Sequence, residues 1–193
     1  MPLLLCMVWG MDMTMDLRVA GIVKESVVDG PGFRYVIFAQ GCVHKCKGCH
    51  NPQTHSFDGG YVCNADDILR EIKASYMLDG ITCSGGECFE SAEGFAYIAR
   101  KVREMGLNVW TYTGYTYEYI IEHMKERKGW KELLYNTDVL IDGKYEEELK
   151  DISLAYRGSG NQRIIDVQES LKCGGIVVLE MDKKVQYDMR KYA

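Results

Sequence analysis

The sequence predicts an α/β fold built from parallel strand–helix units. Three observations carry the prediction. Short β-forming runs alternate with helical runs along the chain. Clusters rich in glycine or cysteine directly follow several of those runs, where parallel sheets place their ligands. The 193 residues are 47% hydrophobic and 26% charged, a globular composition, and a chain this long buries roughly 70% of its unfolded surface.

Taken in order, residues 1–16 crowd Met1, Met7, Met11, Met13 and Met15 without periodicity. They are expected to be a frayed extension ahead of a later start. Residues 17–24 alternate as a strand, and 34–40 read as a second, richer in β-formers. Asp29-Gly30-Pro31-Gly32 between them is a turn by composition. Residues 41–60 carry a cysteine cluster and little regular structure. Asn64 is expected to cap a helix with Asp67 three residues on, burying Ile68, Ile72 and Tyr76. Residues 80–83 form a short strand that runs into Ser84-Gly85-Gly86-Glu87. Ser91 caps the next helix, with Phe95, Ile98, Ala99 and Val102 on one face and Gly106 as its stop. Strand 107–112, helix 116–127 and strand 138–142 follow, the last leading into Gly143-Lys144. Residues 163–167 and 176–179 are expected to be further strands. The clusters at 41–50, 84–88, 111–115 and 142–145 all trail strands and should gather at one rim. The chain reads as one domain over 17–180, with 181–193 as a tail.

Composition excludes several classes. The longest apolar run, 3–9, is far short of the ~20 residues of a spanning helix. It lacks the basic flank and cleavage site of a secretory signal. A net charge of −5 argues against a nucleic-acid backbone as partner. A cytoplasmic protein without membrane or nucleic-acid partners is expected. Eight cysteines in a reducing compartment point to metal or redox chemistry.

Cys42, Cys46 and Cys49 have the spacing C-x3-C-x2-C. Three thiolates on one loop can wrap a metal or a cluster. A structural zinc needs a fourth ligand, available from His44, His50, His55 or Cys63. A [4Fe-4S] cube held by three cysteines leaves one iron open, since four is the usual number. Spacing alone does not separate the two. Gly85 and Gly86 let backbone approach a ligand closely, and their carbonyls with the Glu87 carboxylate suit an ammonium group. Cys6, Cys63, Cys83 and Cys173 show no spacing for a second site and read as structural or incidental residues, while Cys88, next to Glu87, reads as a small buried residue or, alternatively, a redox-active thiol near the cluster.

Together these motifs resemble the radical S-adenosylmethionine superfamily. The more particular similarity is to activating enzymes of glycyl radical enzymes, through Asp29-Gly30-Pro31-Gly32-Phe33-Arg34 and Phe38-x-Gln40-Gly41-Cys42. Tyr112-Thr113-Gly114-Tyr115, Asp142-Gly143-Lys144-Tyr145 and Arg157-Gly158-Ser159-Gly160-Asn161-Gln162-Arg163 resemble the branch that activates anaerobic ribonucleoside-triphosphate reductase. Cys49-His50-Asn51 looks more like the pyruvate formate-lyase activases, which keeps another glycyl radical enzyme open as partner. The resemblance spans residues 17–172.

It implies a partial, open (β/α) barrel with helices outside. It implies a [4Fe-4S] cluster on Cys42, Cys46 and Cys49, with S-adenosylmethionine chelating the open iron. Reductive cleavage would give a 5′-deoxyadenosyl radical that takes hydrogen from a glycine of the partner, with a flavodoxin as electron donor. Gly48, Cys49 and His50 would border the adenosine. Gly85, Gly86 and Glu87 would hold the methionine ammonium. Asp142 and Lys144 would meet its carboxylate or the ribose, which suits a lysine as a point charge. Asp29, Arg34, Asn161 and Gln162 would contact the incoming glycine loop. The non-catalytic alternative is a zinc-stabilised binding module.

Overall fold

The computed structural model describes residues 15–181. The extension and tail expected at 1–16 and 181–193 lie almost wholly outside them. Met15 and Asp16 belong to the fold: the Met15 carbonyl accepts from Ala65 N at 2.8 Å, and Asp16 opens the first strand.

Seven strands form one sheet: β1 (Asp16–Ser26), β2 (Arg34–Ala39), β3 (Tyr61–Asn64), β4 (Gly80–Gly85), β5 (Asn108–Tyr112), β6 (Val139–Asp142) and β7 (Arg163–Asp166). The helices are α1 (Ala65–Ala74), α2 (Ala92–Glu104), α3 (Tyr117–His123), α4 (Trp130–Tyr135) and α5 (Val167–Cys173). The strand order is β3-β1-β2-β4-β5-β6-β7. The class is α/β, but the sheet is mixed. Only β2, β4, β5 and β6 run parallel, whereas β1 pairs antiparallel with β2 and β3, and β7 with β6. The cause is connection length. The turn at 27–33 is too short for a crossover, so β1 and β2 must form a hairpin.

Strand alternation divides the sheet into two faces. Tyr35, Ile37, Ile81, Val109, Leu140 and Ile165 point into a core shared with the helices. Phe95, Ile98, Ala99 and Val102 of α2 are completely buried there, as their spacing predicts. Each large apolar side chain so buried contributes roughly 1.5–3 kcal/mol. The other face carries a smaller cluster of Trp110, Val139, Ile141 and Ile164, against which Tyr156 packs. The tip of Trp110 meets Tyr156 edge-on at 5.3 Å.

Several expectations change. Tyr76 is 99% exposed and Leu69 takes its place in the buried stripe of α1, because the helix ends at Ala74. Asn64 does cap α1, accepting from Asp66 N at 2.8 Å; Ser91 precedes α2 without a capping hydrogen bond. The helix expected at 116–127 stops at His123. The strand β3 and the helices α4 and α5 were not read from the sequence. The strand expected at 176–179 reduces to one bridge between Ile165 and Val178. Among the described residues, no helix is long and apolar enough to cross a membrane.

Candidate functional site

Register fixes which residues share an edge of the sheet. Ala39 lies opposite Gly85, and Tyr112 opposite Ile141. The chain after β2, β4, β5 and β6 therefore emerges on one rim, and one cleft there is lined by Cys42, Cys46, Cys49, Gly85, Gly86, Gly114, Gly143 and Gln162. The rim expected from the sequence is assembled.

The cysteine loop starts as a direct continuation of β2. Gly86 N donates to Ala39 O at 2.9 Å and Glu87 N to Gly41 O at 2.8 Å, so the loop and the Ser84–Glu87 turn are laced together. The glycines permit this contact: a Cβ on Gly85 would lie 2.6 Å from Ala39 N, and one on Gly86 2.4 Å from Gly41 O. Gly85 also has φ +96°, a backbone region open to glycine. Gly86→Ala should therefore lower stability by about 1–3 kcal/mol, the usual cost of overpacking. Urea unfolding of the apoprotein measures it, and an unchanged midpoint would mean the two turns are not in contact.

The three thiols lie on this loop. Burial pushes the Cys42 thiol up, opposed by the backbone N–H groups of His44 and Lys45. Burial raises Cys46 too, with Cys49 beside it adding to the rise; the backbone N–H of Tyr145 and the nearby Lys144 ammonium oppose it. Asn51 N donates to the Cys49 sulfur at 3.4 Å. Backbone N–H groups therefore act against the effect of burial at Cys42 and Cys46. His55 Nε2 is buried without a partner and its residue lines the same cleft.

These features fit an iron–sulfur cluster better than zinc. Among the described residues no three His, Cys, Asp or Glu side chains converge as a single ion requires, whereas a cube gives each thiolate its own iron. Three of the four suggested fourth zinc ligands are engaged elsewhere. His44 Nε2 binds Glu87 Oε2 at 2.7 Å, Cys63 in β3 points its sulfur at Leu17 O, and His50 leans on Tyr145 at 5.0 Å.

The family described as "4Fe-4S single cluster domain" matches residues 28–165. The chain is 35% identical over 146 residues to the anaerobic ribonucleoside-triphosphate reductase-activating protein of Vibrio cholerae, covering 72% of this chain and 90% of that protein. Proteins of the same name from Enterobacteria phage T4 and Escherichia coli K12 are 35% and 31% identical, covering 71% and 70% of this chain and 86% and 90% of their own lengths. The chain belongs to the anaerobic ribonucleoside-triphosphate reductase-activating protein family.

Within this activating-protein fold, four of the residues expected at the site make structural contacts of their own. Arg34 is fully buried at the opposite edge of the sheet, level with Gly80 and Asn108. Its guanidinium donates to Thr82 Oγ1 at 3.1 Å, Asn108 Oδ1 at 2.5 Å and the Ile81 carbonyl. Asp29 sits beside it, accepting from Ser26 Oγ at 2.5 Å, while its carbonyl accepts from Thr82 Oγ1 at 2.8 Å. Arg34 is thereby committed to bracing the starts of the parallel strands. Asp142 lies on the helix side of β6, 1% exposed, as alternation with Ile141 requires. It accepts from Tyr117 N at 2.8 Å and from Arg163 Nε at 3.0 Å, so it braces α3 rather than facing the cleft.

Glu87 is fully buried and its carboxylate is saturated. Oε1 accepts from Phe89 N at 3.0 Å and Thr113 Oγ1 at 2.9 Å, and Oε2 from Gly114 N at 2.9 Å besides His44. Four donors fill its lone-pair sites. Asn161 and Gln162 brace loops: Asn161 Nδ2 donates to Lys144 O at 2.8 Å, and Gln162 Nε2 to Gly143 O at 3.1 Å. Gly48, with φ +70°, faces Glu147, and Lys144 is exposed at the rim. Cys83 and Cys88 are buried in the main core. The residue sequence reasoning undervalued is His44. Its signal was its place between two cysteines of one loop.

Proposed function

We propose that the chain is a radical S-adenosylmethionine activase that generates a glycyl radical on anaerobic ribonucleoside-triphosphate reductase in the cytoplasm, with electrons from a flavodoxin-type donor. The observation that carries this is the cleft in which Cys42, Cys46 and Cys49 face the Gly85–Gly86 turn. Among the described residues, the sheet face of Trp110 and Ile141 is packed by Tyr156, Leu179 and Met181 rather than by a helix, which suits an open β/α barrel into which a loop of a large partner can reach.

When bound, a [4Fe-4S] cluster supplies the electron that cleaves S-adenosylmethionine to a carbon radical able to take hydrogen from a glycine. The residues of this chain do the rest. The thiols of Cys42, Cys46 and Cys49 would hold the cluster, and the N–H groups on their sulfurs would offset its negative charge. The carbonyls of Gly85 and Gly86 would orient the methionine ammonium. Lys144 would meet the carboxylate, and Gly48 and His50 would border the adenosine. His55 Nε2 would donate to a cluster or cysteine sulfur.

Iron and acid-labile sulfide on anaerobically reconstituted protein test the reading first. About four of each are expected for one cube, followed by 5′-deoxyadenosine on reduction. Zinc without sulfide would overturn the proposal. Lys144→Met should raise the KM for S-adenosylmethionine about tenfold, the loss of one charge-assisted hydrogen bond, with cluster content intact. An unchanged KM would remove Lys144 from the site.

A further inference from the structure

We infer that His44 is a positioning residue that locks the thiol loop to the turns after β4 and β5, setting where the cluster sits relative to S-adenosylmethionine; this rests on the function proposed above. His44 stands between Cys42 and Cys46, yet its ring points away from solvent, with a side chain only 6% exposed. Its Nε2 meets Glu87 Oε2 at 2.7 Å. The carboxylate of Glu87 offers no donor, so Nε2 carries the hydrogen.

The same carboxylate accepts from Thr113 and Gly114 beyond β5. One buried carboxylate thus joins three segments: the thiol loop, its own turn and the Tyr112–Tyr115 turn. The ring fits a slot that glycine makes possible, since a Cβ on Gly114 would lie 2.3 Å from His44 Cδ2. Tyr115 closes the slot edge-on at 4.5 Å.

The loop requires such an anchor. Lys45, the next residue, has φ +48°. That left-handed conformation costs a residue with a side chain free energy and persists only where its surroundings hold it. The backbone N–H groups of His44 and Lys45 lie near enough to the Cys42 thiol to oppose the effect of its burial. The anchored ring, the turn at Lys45 and the first thiol therefore form one unit. Without the anchor, the cluster-bearing loop and the Gly85–Gly86 carbonyls would drift relative to each other, while the helix-side core would not change.

Two variants test this. His44→Leu fills the slot without a donor, and His44→Gln restores an N–H. Hydrogen exchange on the cofactor-free chain should be faster at Gly86, Glu87 and Gly114 in His44→Leu, near native in His44→Gln, and unchanged along α2 in both. On cluster-loaded protein, affinity for S-adenosylmethionine, read by its perturbation of the reduced cluster's paramagnetic resonance spectrum, should fall at least about tenfold in His44→Leu, the effect of an outer-shell partner. It should largely recover in His44→Gln. Unchanged exchange and affinity in His44→Leu would overturn the inference. So would equal loss in both variants, which would reduce His44 to a space-filler. Failure of the unmodified protein to bind S-adenosylmethionine would instead overturn the proposed function, and the exchange result would still decide whether His44 is the anchor.

Discussion

Cys46→Ala is expected to lose the iron and sulfide together with all reductive cleavage of S-adenosylmethionine. Three thiols on one loop are the whole proposed protein ligand set: His44 is held by Glu87, His50 packs on Tyr145, and His55, beside Cys42, is assigned to a sulfur rather than to iron. Among the described residues, no other cysteine is placed to substitute. Cys83 and Cys88 are fully buried in the core, and Cys63 is bound to Leu17 in β3. Cys173→Ala serves as the control, since Cys173 is exposed at the end of α5. It should retain cluster and turnover. Iron and sulfide assay with 5′-deoxyadenosine quantification reads both variants. Cleavage persisting in Cys46→Ala would contradict the assigned ligand set.

Arg34→Leu is expected to destabilise the chain by about 3–5 kcal/mol, the range for stripping one member from a buried charged network. Burial lowers the guanidinium pKa to about 10, against the pull of Cys83, Asp79 and other neighbours, so Arg34 remains charged at neutral pH. Its charge is held by three hydrogen bonds and by the ring of Trp110, 5.8 Å away. Leucine would leave the acceptors on Asn108, Ile81 and Thr82 without a donor in a dry site. Chemical unfolding of the apoprotein gives the number. Arg34 lies at the strand starts, remote from the thiols, so cluster content per folded molecule should not change. A loss under about 1 kcal/mol, typical of exposed pairs, would show that the buried Arg34 network does not hold the strand starts together.

The sequence made the cysteine loop, the glycine turns and their common rim legible, because each follows a strand and parallel strands share an edge. It also gave the apolar face of α2, whose spacing carries it directly. It did not show the antiparallel pairing at either side of the sheet. Strand direction depends on how far a connection must travel, and β7 returns after a loop whose length alone does not fix its course. Nor did it show which way charged side chains point. Asp142 and Arg34 sit in motifs that suggest ligand contact, yet alternation and burial turn both to structural use. Glu87 illustrates the limit best. The residue was found, but not that its carboxylate would be fully occupied, which depends on Thr113, Gly114 and His44 arriving from other segments.

The main core of this protein contains none of the three thiols of the Cys42–Cys49 loop. Damage to a cofactor held there and collapse of the fold are thus separate events. A molecule stripped by oxygen would keep its sheet and core, lose only the stability that the bound cofactor adds, pass as folded by circular dichroism, and be inert. Its recovery would be a matter of re-supplying iron and sulfide to a standing scaffold, with no refolding step, so colour rather than shape is the gauge of a live preparation.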